Sequence, residues 1–182
     1  MVGSETRSGE LSSADGSTLV TGNAAVFGAW TTIGGAFRER LAPGCFTKSL
    51  RDHPDVLALW NHDWSLVLGR TTSGSLRLFD EPTGLRFELD LDHRTPDGQR
   101  ALGTVDRGDV AGCSFAMQPR VEEWEDPGNV LPHRTILEAS IFEITLTPVP
   151  AYPQSSVTLA RSNSINAARR RAEAAMRRRR IL

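Results

Sequence analysis

The chain has 182 residues, of which 39% are hydrophobic and 24% charged, and these values suit one compact domain of a soluble globular protein with short tails. It contains no apolar run near the ~20 residues that a membrane helix needs, and its polar N-terminus lacks the apolar segment of a secretory signal. The two cysteines, Cys45 and Cys113, do not have metal-ligand spacing, so the sequence indicates a reduced, cytosolic protein. It has no H-E-x-x-H motif, no paired C-x-x-C, no dense carboxylate cluster and no glycine-rich phosphate loop, and it therefore predicts no metal or other cofactor.

The net charge of −1 conceals an uneven distribution along the chain. Residues 161–182 hold eight arginines and one acid, for a charge of +7, whereas residues 1–160 carry a charge of −8. An acidic body with a basic tail predicts that the tail meets an acidic partner or the body itself. Because the tail lacks a core-forming pattern but is rich in helix formers, we expect it to be helical when bound and frayed when free.

The first part of the chain predicts short strands with one helix. Residues 1–17 are rich in Ser, Gly and Glu and are expected to form a disordered N-terminal lead. The stretch LVTGNAAVFG, which begins at Leu19, is typical of a strand and turn, and a short helix is predicted for residues 46–52 after a Pro-Gly turn. The run VLALWNHD, at residues 56–63, has the length of a buried strand.

The middle of the chain predicts a hairpin, a helix and a further strand. SLRLFDE and GLRFELDLD alternate apolar and polar residues on either side of a Pro-Thr-Gly turn, which is a hairpin signal. RTPDGQRALGTVDRG indicates a turn into a helix, with Thr95 or Asp97 as the capping residue. VAGCSFAMQPRVEEWED indicates a strand that ends near Pro119, followed by an acidic excursion.

The last core segment is HRTILEASIFEITLTPVPAYP, a long β-rich run that begins at His133 and is closed by prolines. Together these segments predict a mainly β fold with short helices, of the α+β class. The even spacing of strands and turns favours a small barrel or sandwich over a parallel α/β sheet. The predicted domain covers residues 18–160, between the lead at 1–17 and the Arg-rich tail at 161–182.

The segment VAGCSFAM presents the first candidate for chemistry. In a strand, Cys113 and its apolar neighbours point to one face, while Ser114 points to the other between two very small residues. Such a gap lets a histidine or another backbone approach the hydroxyl, which suits a nucleophile. A serine in a tightly packed strand without any catalytic task is the alternative. Cys113 is a rival nucleophile, but the strand pattern buries it.

His62, in ALWNHDW, is the candidate for proton transfer, because histidine exchanges protons near neutral pH. It is expected at the end of an apolar strand, where a surface histidine without a task is the alternative. Asp63 would face away from it and is a poor partner. His53 and His93 lie in polar, turn-like segments and are expected to be solvated.

Glu143, in ASIFEITL, is the candidate carboxylate. Strand alternation puts Phe142 on an apolar face and Glu143 on the other face, with Ile141 and Thr145. A glutamate in such a run is costly unless it is exposed or paired. It either faces solvent from a half-exposed sheet or orients the histidine through its second ring nitrogen. Glu138 is the second choice for that task.

Taken in order, these blocks resemble the prohead serine proteases of tailed bacteriophages (caudoviruses), which mature the capsid. The resemblance covers residues 18–160. The segment that contains the histidine precedes the segment that contains the serine, and the last segment ends with Pro-Ala-Tyr-Pro. The matching blocks are GNAAVFG, GAFRERLAPGCFTKSL, ALWNHD, LGRT, GLRFELDLD, VAGCSFAM and RTILEASIFEITLTPVPAYP.

The resemblance implies a serine endopeptidase with a β-barrel flanked by helices, similar to the herpesvirus assembly protease. By match to the blocks, the nucleophile falls on Ser114 and the base on His62. Herpesvirus relatives use a second histidine as the third member, and His133 is the only histidine after the serine. The glutamate in IFEITL fits the phage pattern better, so the resemblance favours Glu143.

The same resemblance implies partners and a place of action. The enzyme would act inside the procapsid in the host cytoplasm, cleaving the scaffold or delta segment of the major capsid protein and then itself, with a homo-oligomer left open. It implies no membrane contact. Two other interpretations remain: a catalytically silent scaffold or capsid-interior binding module, and a nucleic-acid-binding protein acting through the arginine tail. The acidic body and the lack of an aromatic stacking surface speak against the second.

Overall fold

The chain folds into strands joined by short turns, with two helices between them. The computed structural model describes residues 18–128 and 130–160, and residues 18–159 form one compact unit. The elements follow in the order β1 (Leu19–Val26), β2 (Thr31–Ile33), β3 (Phe37–Leu41), α1 (Thr47–Asp52), β4 (Leu57–Trp60), β5 (Asp63–Arg70), β6 (Leu76–Glu81), β7 (Gly84–Asp90), α2 (Pro96–Asp106), β8 (Gly112–Glu125), β9 (His133–Thr147) and β10 (Ser156–Leu159).

The strands form two sheets that pack on a shared hydrophobic core. The smaller sheet is antiparallel, in the order β10-β1-β7-β6. The larger sheet is built on β9, the longest strand, which pairs with antiparallel β8 along one edge. Along the other edge, parallel β3 and parallel β4 lie end to end, and each carries a hairpin partner, β2 and β5. Because of this arrangement β9 has two distinct ends, one beside β3 and one beside β4.

The predicted α+β class is confirmed, but a closed barrel is not found among the described residues. In that part of the chain β8 pairs only with β9 and β5 pairs only with β4, so the larger sheet ends at open edges. Apolar side chains from both sheets meet in one core cluster instead. The similarity to the herpesvirus enzyme stays a prediction.

Helix α1 fills the gap that β3 and β4 leave along β9. The carbonyl of Cys45, just before the helix, accepts from the Ala139 amide at 2.9 Å, and Ser49 Oγ accepts from the Ile141 amide at 3.1 Å. These bonds satisfy backbone donors that no strand pairs. Helix α2 begins as predicted, with the Thr95 side chain accepting from the Gly98 amide. The sequence therefore located both helices.

The end of one strand differs from the sequence prediction. Strand β8 does not end near Pro119 but continues to Glu125. Proline has no amide hydrogen, and it is tolerated here because one edge of β8 has no partner strand in the described residues; the register then shifts at Arg120. The lead at 1–17 and the tail at 161–182 lie outside the described residues, so that division stays a prediction. No helix within 18–128 or 130–160 is long and apolar enough to span a membrane.

Candidate active site

One face of the β8–β9 ladder carries the polar side chains that the sequence singled out. Ser114 pairs directly with Thr145, and Ala116 pairs with Glu143. Residues opposite one another in an antiparallel pair project from the same face, with Cβ atoms about 5 Å apart. Ser114, Thr145 and Glu143 therefore share this face, hereafter the site face, although all three are almost fully buried.

The opposite face of β8 belongs to the hydrophobic core, as the sequence predicted. Cys113 is fully buried there, and Phe115 and Met117 pack against the same core. Burial raises the pKa of the Cys113 thiol above its ordinary value, which disfavours the reactive thiolate. The structure thus speaks against Cys113 as a rival nucleophile.

His62 lies in the two-residue turn between β4 and β5, just beyond the strand end where the sequence placed it. Asn61 has φ of 51° and His62 has φ of 60°, the left-handed pair that a tight hairpin turn requires. The His62 amide donates to Thr145 Oγ1 at 2.9 Å, and the Asn61 amide donates to the Leu146 carbonyl at 3.1 Å. These two bonds fasten the turn to β9 and so to the site face.

The His62 ring contacts the carboxylate of Glu143. Nδ1 lies 2.8 Å from Oε1, and the Glu143 side chain is 1% exposed while that of His62 is 47% exposed. When the carboxylate is ionised it only accepts, so Nδ1 is the donor, and in a neutral ring with this tautomer Nε2 is the basic nitrogen. Burial raises the pKa of the Glu143 carboxyl, and the hydrogen bond from His62 opposes this. Glu143 Oε2 is buried without a hydrogen-bond partner among the described residues.

A β-bulge at Phe142 changes the facing of the β9 residues that precede Glu143. The β8–β9 register shifts between Ala116 and Met117, which leaves Phe142 unpaired. The prediction that Phe142 faces an apolar environment and that Ile141 shares a face with Glu143 is therefore wrong: Phe142 is exposed, whereas Ile141 is buried in the core. Strict alternation fails because the extra residue reverses the facing of every position before it.

Gly112, two residues before Ser114 on β8, makes room for a proline. A Cβ atom at Gly112 would lie 2.7 Å from the ring of Pro150, so only glycine fits without a shift. The sequence anticipated a close approach beside the hydroxyl but did not identify Pro150 as the group involved. The proline-rich segment after β9 thus packs against the start of β8.

The structure separates the two alternative third residues from His62. Glu138 lies on β9, and its carboxylate is 3.6 Å from Lys48 Nζ. His133 lies ten residues before Glu143 on the same strand, about 33 Å away at ~3.3 Å per residue, and its ring stacks on Trp30. Neither residue belongs to the His62 environment.

The remaining polar candidates also lie apart from the pair, as expected. Asp63 accepts from the amide and the hydroxyl of Ser65 and does not contact His62. His53 and His93 are exposed. The sequence analysis did not recognise a task for Thr145, which fixes the His62 backbone; its position two residues after Glu143, on the same strand face, was the available signal.

The geometry can support acyl transfer. It combines a hydroxyl on the site face, a histidine whose backbone is fastened to Thr145, the pairing partner of Ser114, and a buried carboxylate that holds the imidazole ring. Within the described residues Ser114 Oγ makes no hydrogen bond to the ring. Such bonds are often long in unliganded enzymes and tighten when substrate binds.

Metal chemistry finds no support in the described part of the chain, where no cluster of three or more His, Cys, Asp or Glu side chains could hold an ion.

The sequence profile of the caudovirus prohead serine proteases matches residues 4–171 of the 182. The matched range includes Ser114, His62 and Glu143 and extends beyond both ends of the described residues. No curated protein matches the chain.

Proposed function

This chain belongs to the caudovirus prohead serine protease family, and on that premise we propose that Ser114 is its nucleophile, His62 its general base and Glu143 the residue that orients the histidine. The members of this family are phage serine peptidases that act in capsid maturation. The observation that carries the proposal is the 2.8 Å contact between His62 Nδ1 and the buried Glu143 carboxylate, on the sheet face that bears Ser114.

The proposed reaction is acyl transfer through a covalent intermediate. His62 Nε2 takes the proton of Ser114 Oγ while the oxygen attacks the scissile carbonyl carbon. The protonated ring, stabilised by Glu143, then gives that proton to the leaving amine as the C–N bond breaks. Water, deprotonated by the same nitrogen, hydrolyses the acyl-enzyme and restores the serine.

We propose the scaffold or delta segment of the major capsid protein, and the protease itself, as substrates. Support comes from the family's association with the prohead, which also favours action inside the procapsid in the host cell. The arginine tail, at +7, has a charge that suits an acidic scaffold surface. A truncation ending at residue 160 should then hydrolyse peptides but be missing from assembled proheads.

Intact mass spectrometry of the purified chain tests the proposal. The wild-type protein should shorten itself or cleave added capsid protein, and Ser114→Ala should be inactive, because loss of a triad nucleophile costs about a million-fold in rate. Cys113→Ala is the matched control and should remain active. Equal processing by Ser114→Ala would refute the nucleophile assignment, and absence of any Ser114-dependent cleavage would favour a silent scaffold module.

A further inference from the structure

A polar cavity lies between α1 and the β8–β9 ladder, apart from the residues assigned to the chemistry. We call it the α1 pocket. It has a volume of about 190 Å³ and is lined by Lys48, Ser49, His53, Arg120, Glu138 and Ser140. Its size suits one side chain rather than a larger ligand.

Arg120 gives the α1 pocket an unneutralised positive charge. Its Nε donates to Ser140 Oγ at 2.8 Å, and its guanidinium has no carboxylate partner in the described part of the chain. Ser140 is nine-tenths buried, so this bond anchors the base of the guanidinium and leaves its two terminal NH₂ groups free. Lys48 adds a second cation, shared between Asp52 at 3.5 Å and Glu138 at 3.6 Å.

The α1 pocket adjoins the site face of the sheet. Ser140 pairs with Gln118, and β8 alternates regularly from Ser114 through Ala116 to Gln118, so these side chains share one face. Gln118 lies four residues from Ser114, a separation of about 13 Å at ~3.3 Å per residue. A peptide extended along this face would reach from one to the other with about four residues.

We propose that the α1 pocket is a substrate subsite that binds an acidic side chain about four residues from the scissile bond. This inference rests on the proposed function, because it takes Ser114 as the point of attack. A guanidinium with both NH₂ groups free matches the two oxygens of a carboxylate, which it binds in a bidentate, charge-assisted manner. The pocket thus selects Asp or Glu in the substrate, and an amide of the same shape is bound less well.

Cleavage profiling of a peptide library made from a digested bacterial proteome tests the inference. Mass spectrometry of the products reads the residues on both sides of each cut bond. The wild-type enzyme should show enrichment of Asp and Glu at one position three to five residues from the cut. A matched pair of peptides with Glu or Gln at that position should then differ in kcat/KM by about tenfold, the typical effect of a hydrogen bond to a charged group.

Arg120→Gln should remove this preference while the neutral peptide is cleaved at the wild-type rate. Arg38→Gln is the matched control, because Arg38 also has no carboxylate partner within the described residues but lies at the other end of β9. It should keep the preference. The charge reversal Arg120→Glu should favour a basic residue at the same position.

Binding to Ser114→Ala separates the two proposals, since it needs no turnover. The Glu peptide should bind more tightly than the Gln peptide, and adding Arg120→Gln should equalise them. Cleavage without an acidic preference, or a preference that survives Arg120→Gln, would overturn the subsite and leave the proposed chemistry intact. If the wild-type enzyme shows no Ser114-dependent cleavage but the Glu peptide still binds through Arg120, only the proposed chemistry is overturned. The pocket would then be a binding site for acidic peptides.

Discussion

A buried glutamate lies at each end of β9, Glu39 on the neighbouring strand β3 and Glu143 on β9 itself. The two carboxylates have different hydrogen-bond partners. At the β3 end, Glu39 accepts from the Tyr152 hydroxyl on one oxygen and from Arg134 at 3.1 Å on the other. At the β4 end, Glu143 accepts from His62 on one oxygen, and its second oxygen has no partner in the described residues. One carboxylate is fully satisfied and the other is not.

Whether the hydrogen bonds of a buried carboxylate are satisfied distinguishes an acid that serves the structure from one that serves the chemistry. A buried polar group is expected to have its hydrogen bonds satisfied, and the Glu39 carboxylate obeys that rule through Tyr152 and Arg134. Glu143 violates it within the described residues, and its single partner is a half-exposed histidine, the side chain that most often acts as a general base. We therefore expect substitution of Glu39 to change stability and substitution of Glu143 to change the rate.

The largest effect should come from Glu143→Gln, which keeps the shape but removes the charge that holds the imidazolium. The rate of peptide hydrolysis should fall between about a hundred-fold and ten thousand-fold, but not to background. His133→Ala, at the other end of the same strand, is the control and should keep the wild-type kcat. A fully active Glu143→Gln with an inactive His133→Ala would instead support the histidine pair of the herpesvirus enzymes.

Stability should respond to Glu143→Gln in the opposite sense from activity. Burial raises the pKa of Glu143 in the folded state, so this group favours folding at acidic pH and its contribution is lost as pH rises through that pKa. A neutral glutamine should therefore leave the free energy of unfolding at pH 7 unchanged or higher, measured by urea denaturation. A loss of several kcal/mol would mean that Glu143 is a structural residue.

The next effect concerns the β3 end. Glu39→Gln replaces one acceptor oxygen with a donor, so either Tyr152 or Arg134 loses its partner in a buried cluster. The free energy of unfolding should fall by about 1–3 kcal/mol, the cost of a buried polar group left unpaired. The kcat of the folded protein should stay within about twofold of wild type. A rate loss as large as that of Glu143→Gln would abolish the distinction between the two ends.

The smallest effect should come from backbone strain in the β4–β5 turn, at the β4 end of β9. The non-glycine residues with left-handed φ in the described part of the chain are Asn61 and His62, both at the β4 end. Asn61→Gly should leave activity and stability nearly unchanged, whereas Asn61→Ala should lower the free energy of unfolding by about 1 kcal/mol. Equal stability of the two variants would show that the turn is not strained.

The sequence predicted the features whose signals are local. Alternation along VAGCSFAM placed Ser114 on the face opposite the buried Cys113, and turn residues located the β6–β7 hairpin and the two helices. The β4–β5 hairpin, whose turn carries His62, was not predicted. The bulge at Phe142 was not predictable, because it depends on register against β8. The pairing of β9 with four elements along its length is also a long-range property, which is why the open sheet edges and the Thr145 contact were missed.

Labelling with a fluorophosphonate, followed by peptide mapping, tests whether Ser114 is a nucleophile activated by His62, because the reagent reacts with an activated serine and not with a packed one. We expect one adduct, on Ser114, which is lost in Ser114→Ala and forms much more slowly in His62→Ala. An adduct on another serine, or labelling of Ser114 at the same rate without His62, would contradict it.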